Sequence, residues 1–239
     1  TKKFEALGLK TDLFRLNEDV SEKELLSLIE KLNFDDDIHG ILVQLPLPKH
    51  IDSEKVLNAI VPTKDVDGFH PENSGLLFQG KPRFIPCTPL GCVKILEYYK
   101  INIKSKYIVV IGRSNIVGKP ITSLLSQPFE IGNATVTLCH SHTTNLSDYT
   151  KLADIIIAAV GKPNLIKKDM VKDGCIILDI GINRINDHSD KGYHIVGDVD
   201  FSSLVEKASY ITPVPGGVGP MTISMLMHNT ILAAELSIK

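Results

Sequence analysis

The first residues that could do chemistry are in the stretch GRSNIVGKP, residues 112–120. The apolar run KYIVVI precedes it and ITSLLSQP follows it, so we expect a strand to enter this turn and a helix to leave it. A glycine-rich turn at a helix start lets backbone amides approach a phosphate, and the helix end adds partial positive charge. The spacing from Gly112 to Gly118 differs from the G-x-G-x-x-G fingerprint. The turn alone therefore leaves nucleotide binding and a plain strand–helix connection both open.

The residues around this turn favour NADP over NAD. In dinucleotide-binding folds the second strand usually ends in Asp or Glu, which accepts a hydrogen bond from the ribose 2′-hydroxyl. Here the run ATVTLC ends in His140 and Ser141, which can both donate to a 2′-phosphate. Arg113 adds a permanent cation with forked donors suited to phosphate. A surface arginine and an ordinary loop serine are the alternative.

Two further turns follow predicted strands, AAVGKP at 158–163 and DIGIN at 179–183. Ligands of open α/β sheets bind outside the carboxyl ends of the strands, so these glycines would let a cofactor lie against backbone. Tight turns with a purely structural role are an equal alternative. The predicted cofactor contacts are Gly112, Arg113, Ser114, Ile116, Val117, His140, Ser141, Val160, Gly161 and Ile182.

A second group lies in VQLPLP, residues 43–48. Gln44 falls at the carboxyl end of an apolar run and close to the rigid Pro46, and polar groups at such ends often face a cleft. A glutamine whose amide bonds to its own backbone is the alternative. Gln44 is therefore a candidate site residue, and the position of its side chain in the structure decides between the two interpretations.

Carboxylates mark a third group, KDVDGFHP at residues 64–71. Asp65, Asp67 and Gly68 could form an ordinary turn. The D-x-D-G fragment is similar to the start of a calcium loop, but the later ligands and the closing glutamate are missing. We predict no metal site.

The last candidate segment is TPVPGGVGPMT, residues 212–222. Its prolines and its three glycines alternate rigid and permissive backbone. A helix is predicted to start after Pro220, which would leave free amides at its N-terminus. Such a segment could bind an anion or a planar ring, or it could simply cross between domains.

Length, composition, net charge and cysteine pattern limit which classes of protein the sequence can belong to. The chain has 239 residues, of which 43% are hydrophobic and 23% charged, as is usual for a globular protein. A formal net charge of -2 gives no electrostatic case for a nucleic-acid partner. No apolar run approaches the roughly 18 residues needed to span a bilayer, so we expect no membrane partner. The scattered cysteines predict reduced thiols in an intracellular protein; they are Cys87, Cys92, Cys139 and Cys175.

The pattern of apolar residues predicts the α/β class. Residues 1–61 predict helix, strand, helix, strand and helix, with strands at 9–16 and 39–45. Gly8 would stop the first helix, and Ser21 with Glu24 would form a capping box on the second. Residues 62–88 are rich in Pro, Gly, Asp and Asn, which predicts a long irregular segment.

A second α/β series follows, in which Thr88 is predicted to cap a helix with Pro89 at its first position. Its predicted strands are KYIVVI, ATVTLC, ADIIIAAV, CIILDIG, HIVGDV and SYITPV, with helices between the first four. We expect two α/β domains with a cleft between them, the second a Rossmann-like, doubly wound parallel sheet. The predicted division is a substrate domain at 1–88 joined by a C-terminal helix at 220–239, and a cofactor domain at 89–219.

Taken together, these motifs resemble the bifunctional methylenetetrahydrofolate dehydrogenase/methenyltetrahydrofolate cyclohydrolase family. The ordered set is GILVQLPLP, KDVDGFHPENSG, PCTPLG, GRSNIVGKP, AAVGKP, DIGIN, VGDV and ITPVPGGVGPMT. The resemblance runs from about Gly8 to the final helix. It implies NADP-dependent oxidation of 5,10-methylenetetrahydrofolate to the methenyl form, followed by hydrolysis to 10-formyltetrahydrofolate.

The resemblance also implies roles for individual residues. Asp67 matches the aspartate that holds the pterin, which suits its chemistry because an aminopyrimidine edge presents parallel N–H donors to a carboxylate. Gln44 matches the glutamine beside the reacting carbon, so Gln44 and Asp67 are the candidate catalytic residues. Gly112, Arg113, Ser114, Ser141 and Ile182 match cofactor contacts. The predicted substrate contacts are Val43, Gln44, Leu45, Asp67, Pro215, Gly216, Gly217, Val218, Gly219 and Pro220.

One feature departs from the family. Its Tyr-x-x-x-Lys pair, whose lysine helps move protons in hydrolysis, falls before the start of this sequence, the lysine one residue before Thr1. Lys2 and Lys3 align with the positions after that lysine, and the helical rotation makes neither a clear substitute. We therefore expect the sequence to be a piece of a longer chain.

Two other functions compete with this one. A non-catalytic NADP- or folate-binding protein would suit a chain that lacks the lysine, and a different NADP dehydrogenase would share the two-domain build. The resemblance further implies a homodimer. We expect a cytoplasmic protein, although an organelle is an alternative because a targeting segment would precede Thr1.

Overall fold

The computed structural model describes residues 2–188 and 191–238. Its first part holds four short helices, α1 (Lys2–Glu5), α2 (Glu22–Asn33), α3 (Ser53–Asn58) and α4 (Pro71–Phe78). The predicted starts and stops are largely confirmed: Ser21 Oγ accepts from the Glu24 amide at 3.2 Å, and Gly8 follows α1 with a φ of +76°. A small apolar core joins α2 and α3, formed by Leu25, Ile29, Ile41, Ile51, Val56 and Ile60.

The two strands predicted in this part are wrong. Within the described residues, 9–16 form no ladder, and Leu13 and Phe14 are 60% and 51% exposed. Segment 39–45 makes a single parallel bridge, in which the Ile41 amide donates to the Lys64 carbonyl at 2.8 Å. Leu42 in the same segment is exposed, so the apolar run is not buried on both faces. Apolar residues alone do not make a strand, because a strand also needs a paired neighbour along its length.

The segment predicted to be irregular, 62–88, contains α4. Pro71 occupies the first turn of this helix, and His70 Nδ1 accepts from the Glu72 amide at 3.1 Å. Proline is compatible with a helix start because its missing N–H has no partner there in any case. The histidine cap was the signal that the sequence reasoning missed.

A five-stranded parallel sheet forms the second part, as the α/β class predicts. Its strands are β1 (Tyr107–Ile111), β2 (Thr135–Cys139), β3 (Ile155–Ala158), β4 (Ile176–Asp179) and β7 (Tyr210–Ile211). They lie in the order β2-β1-β3-β4-β7. Ile108 and Val110 pack into one apolar cluster and Val109 and Ile111 into another, so the sheet is buried on both faces.

One helix leads into this sheet, and three further helices and one turn lie between its strands. They are α5 (Cys87–Tyr98), α6 (Gly118–Ser126), α7 (Leu146–Thr150) and α8 (Phe201–Leu204), with a 3-10 turn at Lys168–Met170. The helix predicted between β3 and β4 is replaced by that 3-10 turn. Helix α5 starts at Cys87 without a side-chain cap, so the predicted capping role of Thr88 is wrong. The Thr88 hydroxyl instead lies 3.1 Å from the Thr222 hydroxyl.

The run HIVGDV does not join the parallel sheet. Strands β5 (Asn183–Asn186) and β6 (Tyr193–Val196) pair with each other as an antiparallel ribbon outside it. The guanidinium carbon of Arg184 lies 3.8 Å from the centre of the Tyr193 ring, a cation–π contact that supports the ribbon. The residues after β6 form an isolated parallel bridge with the segment that follows β3, in which the Ile166 amide donates to the Asp198 carbonyl.

The last helix, α9 (Val218–Ser237), starts two residues before the predicted position and packs along α5. Its Asn229 side chain donates to the carbonyls of Val66 and Ile85 at 2.9 and 3.0 Å. These contacts reach the KDVDG turn, and we propose on this ground that α9 belongs with residues 1–88 in a substrate domain, while 89–219 form the cofactor domain.

In the described part of the chain, no helix combines the length and the apolar character needed to cross a membrane.

Candidate active site

The strand ends of the parallel sheet form one level edge. Ile111 pairs with Cys139 on one side and with Ala158 on the other, and Ala158 pairs with Asp179. The loops that leave this carboxyl edge contain the predicted cofactor residues of four different motifs. The segments 112–118, 140–141, 160–161 and 182 therefore all follow a strand at the same edge of the sheet.

The turn at 112–118 is built from close backbone contacts. Gly112 has a φ of +115°, and a Cβ there would lie 2.1 Å from the Ala159 carbonyl oxygen. A Cβ on Gly118 would lie 1.9 Å from the Gly112 carbonyl oxygen. Only glycine fits either position, since real Cβ atoms do not approach backbone so closely. The turn therefore holds the N-terminus of α6 tightly against the ends of β1 and β3.

Ser114 closes this turn. Its Oγ accepts from the Val117 and Gly118 amides at 3.1 and 3.3 Å, so it caps the start of α6. The hydroxyl proton remains to be donated elsewhere. Arg113 and Ile116 next to it are exposed to solvent.

His140, at the end of β2, is held in one orientation. Its amide donates to Thr143 Oγ1 at 2.9 Å, and its Nδ1 accepts from the His142 amide at 3.2 Å. Because Nδ1 acts as an acceptor, the neutral ring carries its proton on Nε2. The ring can therefore donate from Nε2, and Ser141 beside it is exposed.

Two buried aspartates brace the loops after β3 and β4. Asp179 accepts from the amides of Gly181, Asp198 and Val199, each at 2.9 Å. Burial raises its pKa to about 6, against the lowering effect of those amides. A Cβ on Gly197 would lie 1.8 Å from Asp179 Oδ2, which explains the glycine in VGDV.

The second aspartate, Asp198, accepts from the turn after β3. Val160, Gly161 and Lys162 donate their amides to its carboxylate at 2.6, 3.0 and 2.9 Å. Asn183 Nδ2 completes the set at 2.9 Å. The sequence analysis predicted no role for either aspartate. The signal was an Asp at the end of the apolar run CIILD, since a buried carboxylate needs hydrogen-bond donors.

The carboxyl edge fits a dinucleotide. Gly161 and Gly216 have φ values of +66° and +106°, and a Cβ on either would meet nothing within 4 Å. These glycines therefore border open space where a ligand can lie against backbone. Helix α6 points its N-terminus at the same edge, which favours a phosphate, and the exposed Arg113 supplies a positive charge.

Asp67 differs from the other aspartates because it is poorly satisfied. The hydrogen-bond partner of its carboxyl among the described residues is the Cys87 thiol, with Sγ 3.7 Å from Oδ1. Burial and then the nearby charge of Asp65 raise the pKa of Asp67 to about 7. Burial and the Asp67 carboxylate also raise the pKa of the Cys87 thiol, which keeps it protonated as a donor.

Asp65 holds the turn that carries Asp67. Its carboxylate accepts from the Phe69 and His70 amides at 3.2 and 2.8 Å. Asn73 Nδ2 donates to the same carboxylate at 2.8 Å. The Asp65 side chain is thus fully engaged, whereas the Asp67 side chain two residues later is available to a ligand.

Gln44 follows a segment that is bridged to this turn. An isolated parallel bridge pairs Ile41 with Asp65, and Gln44 follows that bridge three residues later in the chain. Gln44 Nε2 donates to the Leu45 carbonyl at 3.1 Å, which is the backbone-bonded arrangement left open as the alternative. The side chain is exposed, so it can rotate away from this bond toward a ligand.

The directions of α5 and α6 place the turn with Asp67 and the loops of the carboxyl edge close together. Helix α5 leads into β1 and α6 leads out of it, so both run from the carboxyl edge of the sheet to the opposite edge. The start of α5, with Cys87, and the start of α6, with Gly118, consequently share one edge. Asp67 touches Cys87, and the Thr88–Thr222 contact holds the start of α9 close by. The predicted folate residues 215–220 fall in the loop before α9 and in its first turn, which begins at Val218.

Comparison with known proteins agrees with this geometry. The family model for the tetrahydrofolate dehydrogenase/cyclohydrolase catalytic domain matches residues 1–67, and the model for its NAD(P)-binding domain matches residues 86–238. The chain belongs to the tetrahydrofolate dehydrogenase/cyclohydrolase family. The resemblance predicted from the motifs is thereby confirmed. The second match includes α9, which packs on α5 as well as on the KDVDG turn.

Individual members of the family are close in sequence and structure. The bifunctional protein FolD of Campylobacter concisus is 57% identical over 231 residues, which are 97% of this chain and 78% of that protein. The FolD crystal structure from Campylobacter jejuni has a TM-score of 0.92 at 52% identity and covers 98% of this chain and 80% of that one. The Trypanosoma brucei enzyme, solved with NADP and an inhibitor, has a TM-score of 0.94 at 37% identity, covering 100% of this chain and 80% of that one.

The Tyr-x-x-x-Lys pair that the resemblance implies is predicted to precede Thr1, so this prediction falls outside the residues that the structure describes. Among residues 2–188 and 191–238, no group of three or more His, Cys, Asp or Glu side chains is arranged to hold a metal ion.

The raised pKa of Asp67 predicts a pH-dependent stability. A carboxyl whose folded pKa of about 7 exceeds its ordinary 3.8 stabilises the folded state below pH 4, and this contribution is lost as the pH rises through 7. Relative to Asp67→Asn, the free energy of unfolding should fall between pH 4 and 8, by up to roughly 4 kcal/mol at about 1.4 kcal/mol per pKa unit. Urea denaturation of both proteins across this range measures the difference. A difference that stays constant with pH would contradict the raised pKa.

Proposed function

We infer that this protein oxidises 5,10-methylenetetrahydrofolate with NADP and hydrolyses the resulting methenyl form to 10-formyltetrahydrofolate. The observation that carries this inference is the under-satisfied carboxyl of Asp67, located next to the edge where the cofactor loops converge. Family membership and identities above 50% to bifunctional FolD proteins support both activities. The Trypanosoma brucei relative, whose structure contains bound NADP, supports the cofactor.

Asp67 would anchor the substrate. The 2-amino group and the ring N–H of the pterin donate in parallel, and one carboxylate accepts both. Binding favours the ionised carboxylate, whereas burial in the free protein favours the neutral form. Substrate binding therefore releases a proton from Asp67 near neutral pH and fixes the plane and direction of the ring.

In the oxidation step the main task of the side chains is to orient the folate and the cofactor. A C–H bond of the methylene carbon breaks as a hydride leaves, and a folate nitrogen lone pair forms the new C=N bond. NADP, when bound, supplies the acceptor for that hydride. The work of the chain is to hold the two rings face to face, for which its fixed loops at the carboxyl edge are suited.

The hydrolysis step needs polar groups. Water adds to the methenyl carbon, one C–N bond breaks to leave the formyl group on the other nitrogen, and a proton is released. The Gln44 amide can donate to the oxygen that develops negative charge on that carbon. Val43 and Leu45 flank it, and the loop at 215–220 would close the other side of the folate.

We propose the cofactor contacts from the same geometry. The turn at 112–118 and the N-terminus of α6 would bind the pyrophosphate. Arg113, Ser141 and the Nε2 of His140 would donate to the 2′-phosphate, with Ser114 donating its free hydroxyl proton. Val117, Ile116 and Ile182 supply apolar surface, and Val160 and Gly161 supply backbone.

Assembly and compartment are also proposals. We propose a homodimer on the resemblance alone. A cytoplasmic location is supported by the four cysteines, which are all buried free thiols, because thiols persist in a reducing compartment.

A coupled spectroscopic assay tests the function. Methylenetetrahydrofolate and NADP are supplied to the purified protein, and methenyl formation and decay are followed separately. We expect formation that depends on NADP, followed by enzyme-dependent decay. Formation without decay would confine the protein to the dehydrogenase step, and binding of both ligands without formation would support the non-catalytic alternative.

The NADP preference predicts the behaviour of Arg113→Ala. Loss of a charge-assisted contact to the 2′-phosphate should raise the KM for NADP about 10- to 100-fold, which corresponds to roughly 1.5–3 kcal/mol. The KM for NAD should remain within about twofold. Lys106→Ala, which removes a cation at the opposite edge of β1, is the matched control and should leave both values unchanged. An equal loss for NADP and NAD in Arg113→Ala would contradict a 2′-phosphate role.

A further inference from the structure

Among the described residues at the cofactor edge, Asp198 is the carboxylate that accepts the most hydrogen bonds. The proposed function gives it no role. The residue is fully buried. Its Oδ2 accepts from the Val160 and Gly161 amides at 2.6 and 3.0 Å. Its Oδ1 accepts from the Lys162 amide and from Asn183 Nδ2, each at 2.9 Å. Four donors from two separate loops therefore converge on one side chain.

This carboxylate decides which polar groups the turn at 160–162 can offer to a ligand. All three of its consecutive amides point inward at Asp198, so none of the three is left to bind a phosphate. A phosphate placed against the turn would also meet the negative charge of Asp198 behind it. The turn is consequently suited to the uncharged parts of a cofactor, and the pyrophosphate is directed to 112–118, where α6 begins.

Asp198 is itself held from behind. Its amide donates to Asp179 Oδ1 at 2.9 Å, and Asp179 also binds the Gly181 amide in the next loop. A Cβ on Gly181 would lie 2.3 Å from the Asp198 carboxylate, so the β4 loop packs directly against it. The loops after β3, β4 and β6 are thus tied to each other through two carboxylates.

We propose that Asp198 is a positioning residue of the cofactor site, which fixes the turn at 160–162 through its amides and does not touch the cofactor itself. This proposal rests on the proposed function, since it takes the carboxyl edge to be the NADP site. It predicts that a change in Asp198 weakens the binding of NADP while leaving folate binding largely intact. A carboxylate that merely stabilised the fold would affect both ligands alike.

Asp198→Asn is the direct test. The amide group has one acceptor oxygen and one NH2, so in either orientation two of the four N–H donors face another N–H. Asp154→Asn is the matched control, because Asp154 accepts from the Tyr107 amide at 2.8 Å and from Lys172 at the other edge of the same sheet. The dissociation constants of NADPH and of a folate are measured by fluorescence titration, and circular dichroism checks the fold.

We expect Asp198→Asn to raise the NADPH dissociation constant at least tenfold and to change that of the folate by less than twofold. NADH and NADPH should be weakened in the same ratio, because the turn at 160–162 is separate from the proposed 2′-phosphate contacts. Asp154→Asn should leave both ligands within twofold of the wild type. Comparable weakening of NADPH by the two variants, or of NADPH and folate in Asp198→Asn, would overturn the proposal.

Asn183→Ala keeps the proposal testable if Asp198→Asn does not fold. It removes one of the four donors and leaves the three backbone amides, so we expect a smaller rise in the NADPH dissociation constant, about two- to fivefold, with unchanged folate binding. An unchanged constant for NADPH would count against the positioning role. If the wild type itself bound no NADPH, the proposed function would fall as well, whereas wild-type binding with insensitive variants would remove only the role of Asp198.

Discussion

The site depends on a difference between its carboxylates in the number of hydrogen-bond donors that each receives. Asp65 and Asp198 are buried and each receives a full set of N–H donors, as a carboxylate away from water requires. Asp67 is only half-buried, and its partner among the described residues is a weakly donating thiol. Its pKa of about 7 is the consequence. A site that leaves one acid short of donors is prepared for a ligand that brings them.

The satisfied carboxylates make this possible because they fix the backbone around the unsatisfied one. Asp65 holds the turn from which Asp67 projects, and Asn229 ties that turn to α9. Asp179 and Asp198 do the same for the loops at the carboxyl edge of the parallel sheet. Hydrogen bonds within the chain thereby hold the loops of both halves of the site, and a hydride transfer between two flat rings needs such fixed positions.

The sequence predicted the parallel sheet well and the elements of residues 1–88 poorly, for a physical reason. Runs such as KYIVVI are buried on both faces, so their composition reflects their environment directly. The run HGILVQL has a similar composition, but it makes one bridge to Asp65 and leaves Leu42 exposed. Pairing is a property of the neighbouring chain, and a single segment does not encode it. The roles of the aspartates in DIGIN and VGDV were not predicted for the same reason, because most of their hydrogen-bond partners lie in other segments of the chain.

We propose that a pterin on Asp67 and a nicotinamide at the carboxyl edge of the sheet share one crevice. A crystal structure of the protein with NADP and a folate inhibitor bound together would show whether they do. We expect both Asp67 carboxylate oxygens within hydrogen-bond distance of the pterin, with the nicotinamide ring stacked beside it and the pyrophosphate at residues 112–118. A folate bound away from Asp67, or a cofactor whose nicotinamide does not reach the pterin, would contradict it.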